Sequence, residues 1–304
     1  MIDIVIVNWN SHDFLLKCVQ SIFNSNQSDL ISDVIIIDNY STDDSLQLLP
    51  INAKIQVIKN AENVGFARAC NQGFKLSNSN YILLLNPDAV LLENTISASF
   101  DYMETHEDVD VLGCQLLNES NQITPTCARF PKPINFVYHS LGLSKIWPKV
   151  FHPPTLMTDW DHKESRFVDQ VMGAYMFMRK SVFEKAGYFD ERFFVYFEEL
   201  DFSLSLKKAG GKSFYHSGIQ AIHTGMGTTE SVKAFRLFLS LSSRLKYAKK
   251  HFSTFGFFTV TFFTYTIEFL MRFLQLAIKG NLKETKNLVK GYWMLLGRKK
   301  FERL

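Results

Sequence analysis

Cysteine is scarce: four residues in 304, Cys18, Cys70, Cys114 and Cys127, with no CxxC pair and no histidine cluster beside any of them. That is too few for a disulfide scaffold of this length, and a reducing compartment is expected. The opening run Ile2-Asp3-Ile4-Val5-Ile6-Val7 has no basic region and no small-residue cleavage site, so no signal peptide is expected and the protein should stay in the cytosol. No Gly-x-Gly-x-x-Gly turn follows this run, where Asn8-Trp9-Asn10-Ser11 stands instead, which sets a nicotinamide oxidoreductase aside. Compositional bias is absent too: 46 % hydrophobic and 21 % charged residues exclude disorder and low-complexity polymers. The length suits one large domain or two modest ones.

Net charge is only +3, but it is unevenly spread. Residues 1–230 carry 18 Lys+Arg against 27 Asp+Glu, a balance of −9, whereas residues 231–304 carry 15 against 3, a balance of +12. Such a tail expects an anionic partner, a nucleic acid or a membrane surface. The 28 Phe far outnumber the 11 Tyr and 4 Trp, and many of them fall after residue 190.

The first hundred residues alternate apolar runs with helical patterns, which predicts parallel βαβ units. Strands are expected at Ile2–Val7, Val34–Ile37, Ile55–Ile58 and Tyr81–Leu85, with helices near His12–Asn24, Asp43–Leu49 and Ala67–Leu76. Ligands of open α/β sheets collect at the carboxyl ends of the strands. Those ends are polar here: Asn8-Trp9-Asn10, Asp38-Asn39, Asn60 through Asn63-Val64-Gly65, and Asn86-Pro87-Asp88. Asn, Asp and Gly also make plain turns, which would account for any one cluster but less readily for four.

Residues 118–166 hold six prolines and little periodicity, and read as an irregular connection. Val168–Met178 returns to strand character around Gly173, and Glu198–Lys208 looks helical, closed by Gly210-Gly211. A body of residues 1–230 and a helical tail of 231–304 are expected.

The densest negative cluster is Glu198-Glu199-Leu200-Asp201, preceded by the aromatic wall Phe193, Phe194, Tyr196 and Phe197. Acids at a helix start complement its dipole, which explains one or two of them. Aromatic neighbours would also desolvate a carboxylate and raise its pKa toward that of a useful base. Magnesium asks for one or two carboxylates plus substrate phosphates, a part that suits Asp88, and His223 could add an imidazole that manganese accepts.

In the tail, Lys246, Lys249 and Lys250 precede the apolar stretch Phe252 to Ile278, and Lys279, Lys283, Lys286, Lys290 and Arg298–Lys300 follow it. The stretch is long enough to span a bilayer but contains Glu268 and Arg272. The favoured reading is a helix lying in the membrane interface; a span and a helix packed on the body are the alternatives. No aromatic-basic platform of an RNA module accompanies the lysines, so no nucleic acid is expected.

Taken in order, Val5-Ile-Val-Asn-Trp-Asn10, Ile37-Asp38-Asn39-Tyr-Ser-Thr-Asp43, Asn63-Val-Gly65-Phe-Ala-Arg68-Ala-Cys-Asn71-Gln-Gly73, Leu85-Asn86-Pro87-Asp88, Gly173-Ala174, Gly187-Tyr-Phe-Asp190-Glu191-Arg192-Phe-Phe, Glu198-Glu199-Leu-Asp201 and His223 resemble a family 2 glycosyltransferase. The resemblance covers about residues 1–230 and is nearest the bacterial rhamnosyltransferase-like branch. It implies an α/β GT-A fold, a mostly parallel central sheet flanked by helices, to which the tail adds a basic, aromatic helical extension. It also implies a metal-dependent, inverting hexosyltransferase. The expected donor is dTDP-rhamnose, with a UDP-hexose as the alternative. The acceptor would be a polyprenyl-diphosphate-linked saccharide of bacterial O-antigen or capsule synthesis.

The resemblance assigns Asp38 to the nucleotide base, with Asn8, Asn10, Asn63, Gly65, Arg68, Asn71, Asn86 and Gly173 as further substrate-binding positions. Asp88 and His223 would hold Mg2+ or Mn2+, and Glu199 would be the general base, beside Glu198 and with Asp201 as a rival. The sequence departs from the family pattern in having Asn86 at the first acidic position of the metal motif, Glu199 where Asp is usual, and Ser205 where Arg is common. With the basic tail, these features predict an enzyme held peripherally on the cytoplasmic face of an anionic plasma membrane.

Overall fold

Continuous Val/Ile/Leu runs with both faces covered make strands, and the first of them founds the sheet. The structure, a computed structural model, describes residues 1–225 and 233–297. The expected boundary at 230/231 and the Arg298–Lys300 cluster lie outside them. The chain folds as two compact units, each taken over its described residues. The first comprises Met1–Ala128, Trp160–Glu191 and Glu198–Thr228, and the second Arg129–Asp159, Arg192–Phe197 and Thr229–Leu304.

The first unit contains β1 (Ile2–Asn8), α1 (Asp13–Phe23), β2 (Ile31–Asp38), β3 (Ile55–Lys59), α2 (Phe66–Leu76), β4 (Tyr81–Leu85), β5 (Ala89–Leu91), α3 (Thr95–Thr105) and β6 (Val111–Leu117). The second unit then takes α4 (Pro133–Ser140) and α5 (Leu143–Ile146). Back in the first unit come β7 (Arg166–Val168), β8 (Tyr175–Arg179), α6 (Val182–Ala186), α7 (Glu198–Lys208) and β9 (Ser213–His223). The second unit closes with α8 (Lys233–His251), α9 (Thr254–Phe263), a π-helical turn over Thr264–Glu268, α10 (Phe269–Ile278) and α11 (Leu282–Leu296).

The sheet order is β3-β2-β1-β4-β8-β6-β9-β5, with β7 on β9. It is parallel across β3-β2-β1-β4, as the βαβ pattern predicts, and β8 then joins β4 antiparallel. The rest is mixed, with β6 and β9 parallel and β5 antiparallel to β9. The core beneath it gathers Ile2, Ile4 and Ile6 of β1, Leu15 and Val19 of α1, Leu83 and Leu85 of β4, and Tyr175 and Phe177 of β8. Each large aliphatic side chain buried this way contributes about 1.5–3 kcal/mol.

Two local readings change. The expected helix at Asp43–Leu49 is a series of turns, because Asp43 Oδ1 accepts from Ser45 Oγ at 2.6 Å and competes with helical hydrogen bonding. The proline-rich 118–166 stretch is not wholly irregular: α4 begins with Pro133 at its first turn, where proline's missing N–H costs nothing.

The second unit has its own core, drawn from Phe136 of α4, Phe238, Leu241 and Leu245 of α8, Val260 of α9, and Leu288, Tyr292 and Leu295 of α11. Gly256, Val260, Thr264 and Glu268, spaced by four, form the buried stripe of the Thr254–Ile278 run. Glu268 is held by ion pairs with Arg244 and with Arg272, the latter at 2.7 Å. Burial would raise its pKa, but the two guanidiniums overcome that and bring it down to about 2. The excess phenylalanine divides between this core and its outer face, where Phe255, Phe258 and Phe262 are exposed.

Candidate active site

The parallel register sets the polar strand ends side by side, since Asn8 of β1 lies opposite Asp38 of β2, and Asp38 opposite Lys59 of β3. Asn8 is fully buried, and its Nδ2 donates to Asp38 Oδ1 at 2.8 Å, Ser45 Oγ at 2.9 Å and Ser41 Oγ at 3.1 Å, while its Oδ1 accepts from Ser11 Oγ. Asn10 takes φ +50°, and its Oδ1 accepts from the Thr42 N–H at 2.7 Å. Two asparagines thus staple the loop after β1 to the loop after β2.

A second layer lies beside it. Asn39 Nδ2 donates to Asn63 Oδ1 at 2.8 Å, and the same oxygen accepts from the Gly65 N–H at 3.0 Å. Gly65 has φ +87°, in the left-handed region that favours glycine, and it caps the start of α2. Asn71, on α2, is buried: its Nδ2 donates to the Phe189 carbonyl at 2.8 Å and to Glu191 Oε1 at 3.0 Å, and its Oδ1 accepts from the Phe189 N–H. Arg68 Nε lies 3.9 Å from Glu191 Oε2. The structure therefore ties Asn71 and Arg68 to the segment 187–191. Ser11, Ser41, Ser45 and Glu191, to which the sequence reading gave no role, complete these networks; Ser41 and Glu191 lie within the motif segments, and Ser11 and Ser45 beside them.

Asp88 and His223 meet through strand pairing. β5 runs antiparallel to β9 with Ala89 opposite His223, and the Thr224 N–H donates to the Asp88 carbonyl at 3.2 Å. This brings His223 Nε2 within 3.2 Å of Asp88 Oδ1, with both side chains mostly buried. Asn86, two residues before, is pinned by its backbone, its N–H donating to the Ala174 carbonyl at 3.1 Å. A carboxylate oxygen and an imidazole nitrogen held this close form a donor pair acceptable to Mn2+. Among the described residues, His12, Asp43 and Asp44 also stand together, but there the backbone N–H of His12 donates to Asp43 Oδ2 at 2.7 Å, tying the segment after β1 to the segment after β2.

α7 begins at Glu198, so Glu198, Glu199 and Asp201 occupy its first turn, where the helix dipole favours negative charge. Glu198 and Asp201 are each 2 % exposed, whereas Glu199 is only partly buried. Glu199 Oε1 accepts from the Gly173 N–H at 2.9 Å. Desolvation pushes its pKa up to about 7, against the lowering effect of that hydrogen bond. Burial, followed by the charges of Glu198 and Glu199, holds the Cys70 thiol well above its usual range. All four cysteines are buried and free. At the Ser205 position, where the family pattern has a cation, Ser205 Oγ donates to the Asp201 carbonyl, and nearby Lys207 pairs with Asp169 at 2.6 Å.

Comparison with known proteins agrees with this architecture. Among solved structures, GalNAc-T7 crystallised with UDP, GalNAc and Mn2+ superposes with a TM-score of 0.55 at 13 % identity, over 76 % of this chain and 46 % of that one. Staphylococcus aureus TarS gives 0.50 at 15 % identity, over 83 % and 44 %. These likenesses concern the fold, and the chain spans less than half of either. Among sequence relatives, the Escherichia coli rhamnosyltransferase WbbL is 26 % identical over 80 % of this chain and 92 % of its own length. The Mycobacterium tuberculosis N-acetylglucosaminyl-diphospho-decaprenol L-rhamnosyltransferase is 25 % identical over 62 % of this chain and 66 % of its own, so the chain spans about two thirds of that relative. The family model for glycosyl transferase family 2 matches residues 3–185, well over half of the chain, and the protein belongs to that family.

Proposed function

We propose that the protein transfers L-rhamnose from dTDP-rhamnose, with inversion, to a saccharide carried on a polyprenyl diphosphate, a step in building a bacterial surface polysaccharide. The observation that carries the reading is Glu199, a partly exposed carboxylate raised to about 7 in the same unit as the Asp88–His223 pair. A base must be reachable by its acceptor, which favours Glu199 over the buried Glu198 and Asp201. The names of the bacterial relatives, both rhamnosyltransferases and one acting on an N-acetylglucosaminyl-diphospho-decaprenol, support rhamnose as the sugar transferred and a lipid-linked saccharide as the acceptor class.

In this reading Glu199 takes the proton of the acceptor hydroxyl as its oxygen bonds to the anomeric carbon. The bond from that carbon to the diphosphate breaks on the opposite side and dTDP departs, so one displacement inverts the centre. The asparagine-stapled loops around Asp38 hold the nucleoside, with Asn10, Asn63, Gly65, Arg68, Asn71, Asn86 and Gly173 shaping the donor pocket or its supports. Asp88 and His223 would hold a divalent cation, Mg2+ or Mn2+, which supplies charge neutralisation to the leaving diphosphate.

The reading also places the enzyme on the cytoplasmic membrane face, through the second unit. The Thr254–Ile278 run is long and apolar enough to cross a membrane, yet one side of it is packed and carries the buried Glu268. Its other side exposes Phe255, Phe258, Phe262, Leu270, Leu274 and Ile278, and the exposed Lys279, Lys283, Lys286 and Lys290 follow. An exposed apolar face followed in the chain by exposed lysines suits the surface of an anionic bilayer, where polyprenyl carriers keep their head groups.

The test is nucleoside diphosphate release from a panel of dTDP- and UDP-sugars with a lipid-linked acceptor extract, with Mn2+ or Mg2+ and then with chelator. Chelator-sensitive turnover of dTDP-rhamnose, lost in Glu199→Gln, is the expected result. Turnover of a UDP-hexose instead would keep the mechanism and replace the donor, and no turnover with any donor would overturn the reading.

A further inference from the structure

Tyr40 has a left-handed backbone, with φ +70°, and is 54 % exposed. That region is ordinary for Gly and is entered fairly readily by Asn, Asp and His, but a bulky aromatic there is an outlier. Such strain persists only where the surroundings impose it, and it gathers at sites that clamp ligands. Tyr40 stands two residues beyond Asp38, the last residue of β2, and therefore at the carboxyl ends of the parallel strands.

Its neighbours impose the turn. Asp38 and Asn39 are each 3 % exposed. Asp38 Oδ1 accepts from Asn8 Nδ2, and its Oδ2 accepts from the Ser41 N–H at 3.2 Å, which closes the turn across Tyr40. The Asn39 N–H donates to the Asn8 carbonyl at 2.7 Å, and Asn39 Oδ1 accepts from the Val64 N–H at 3.0 Å. Beyond Tyr40, Ser41 Oγ accepts from the Asn10 N–H at 3.0 Å, and the Thr42 N–H donates to Asn10 Oδ1. Asp38, Asn39, Ser41 and Thr42 are thus all tied to β1 or to the segments that follow β1 and β3. Among the described residues, the Tyr40 side chain makes no hydrogen bond, ion pair or ring contact. A ring on a rigid, strained turn, with no partner of its own, is ordered before a ligand arrives and leaves its face to that ligand.

We propose that Tyr40 is the platform on which the nucleobase of the sugar-nucleotide donor stacks. The inference rests on the reading of the loops around Asp38 as the nucleoside site. An aromatic ring attracts any base, because every base has a π-face, so Tyr40 supplies affinity. The choice between bases is left to the polar groups around Asp38. The strained backbone belongs to the same arrangement: the turn that best suits Gly or Asn carries a tyrosine because the ring is needed there.

The experiment is calorimetric titration of the full chain, in Mg2+, with dTDP, with UDP and with inorganic pyrophosphate, which has no base. The variants are Tyr40→Asn and Tyr40→Gly, which suit the left-handed turn, and Tyr40→Phe, which keeps the ring. Tyr40→Asn is expected to weaken each nucleoside diphosphate that the wild type binds by about tenfold or more, the scale of a lost base–aromatic stack, and pyrophosphate by less than about twofold. Its Tm is expected to be unchanged or higher, because Asn accepts the turn without strain. Tyr40→Phe is expected to restore the wild-type affinity. Unchanged nucleotide affinity in Tyr40→Asn, an equal loss for pyrophosphate, or a Tyr40→Phe protein as weak as Tyr40→Asn would each overturn the inference. Should Tyr40→Asn fail to fold, Tyr40→Gly decides by the same criteria. The wild type separates the two readings. If it binds no nucleoside diphosphate, the nucleoside site falls and this inference with it; if it binds one and Tyr40→Asn binds it as tightly, only the part of Tyr40 falls.

Discussion

The Gly173 N–H donates to Glu199 Oε1 at 2.9 Å, and a Cβ built on Gly173 would stand 2.1 Å from that same oxygen. A glycine just before β8 and an acid in the first turn of α7 are thus fitted to each other, and each limits what the other can be. Gly173→Ala is expected to push the carboxylate, the far end of a flexible side chain, out of its place and lower kcat by about tenfold or more, the scale of a misplaced catalytic group. Steady-state kinetics beside a thermal melt checks it, and full activity in a folded Gly173→Ala protein would show that the fit does not matter.

Glu199 should be visible in the pH dependence. A base must be deprotonated, so kcat is expected to rise with pH through about 7 and to level above it. Glu199→Gln should lose about 100-fold to 10,000-fold and with it the acidic limb. Stability runs the other way. Between the ordinary 4.5 and the raised value of about 7 the folded protein keeps a proton that the unfolded chain releases, so this group's contribution to stability falls as pH rises across that window. Denaturant midpoints of the wild type and Glu199→Gln, compared at several pH values, measure that slope.

Asp88→Asn and His223→Ala are each expected to weaken Mn2+ binding by about tenfold or more, because on the proposed reading each removes one of two protein ligands and leaves water and phosphate to fill its place. Calorimetric titration of Mn2+ in the presence of nucleoside diphosphate reads this without any turnover. Unaltered affinity in both variants would place the cation elsewhere.

On the second unit, Phe258→Ser with Phe262→Ser is expected to reduce co-sedimentation with anionic lipid vesicles by about tenfold or more, given about 1.5–3 kcal/mol for a fully buried aromatic side chain, while neutral vesicles bind weakly throughout. Salt should weaken the wild type's binding by screening the exposed lysines of the second unit. Binding that ignores both the substitutions and salt would sink the membrane reading of this face.

Much of this arrangement is legible in the chain because its signals are local. The apolar runs of β1, β2, β3 and β4 are strands wherever both faces are covered, and Glu198–Lys208 is bounded as a helix by its acids and by Gly210-Gly211. The turns at 43–49 were masked by a helical apolar pattern that the side chain of Asp43 overrides.

By itself, then, the sequence determined the βαβ beginning, the family, the polar strand ends and the split between an acidic body and a basic tail, all of which rest on periodicity, composition and short motifs. Only the tertiary structure decided that Gly173 donates to Glu199, that Asn71 binds the segment 187–191, and that it is the pairing of β5 with β9 that brings Asp88 and His223 to 3.2 Å. Each of these joins residues far apart in the chain, through strand register or close packing. Such contacts exist only once the sheet and the helices have been laid against each other, and no local pattern encodes them.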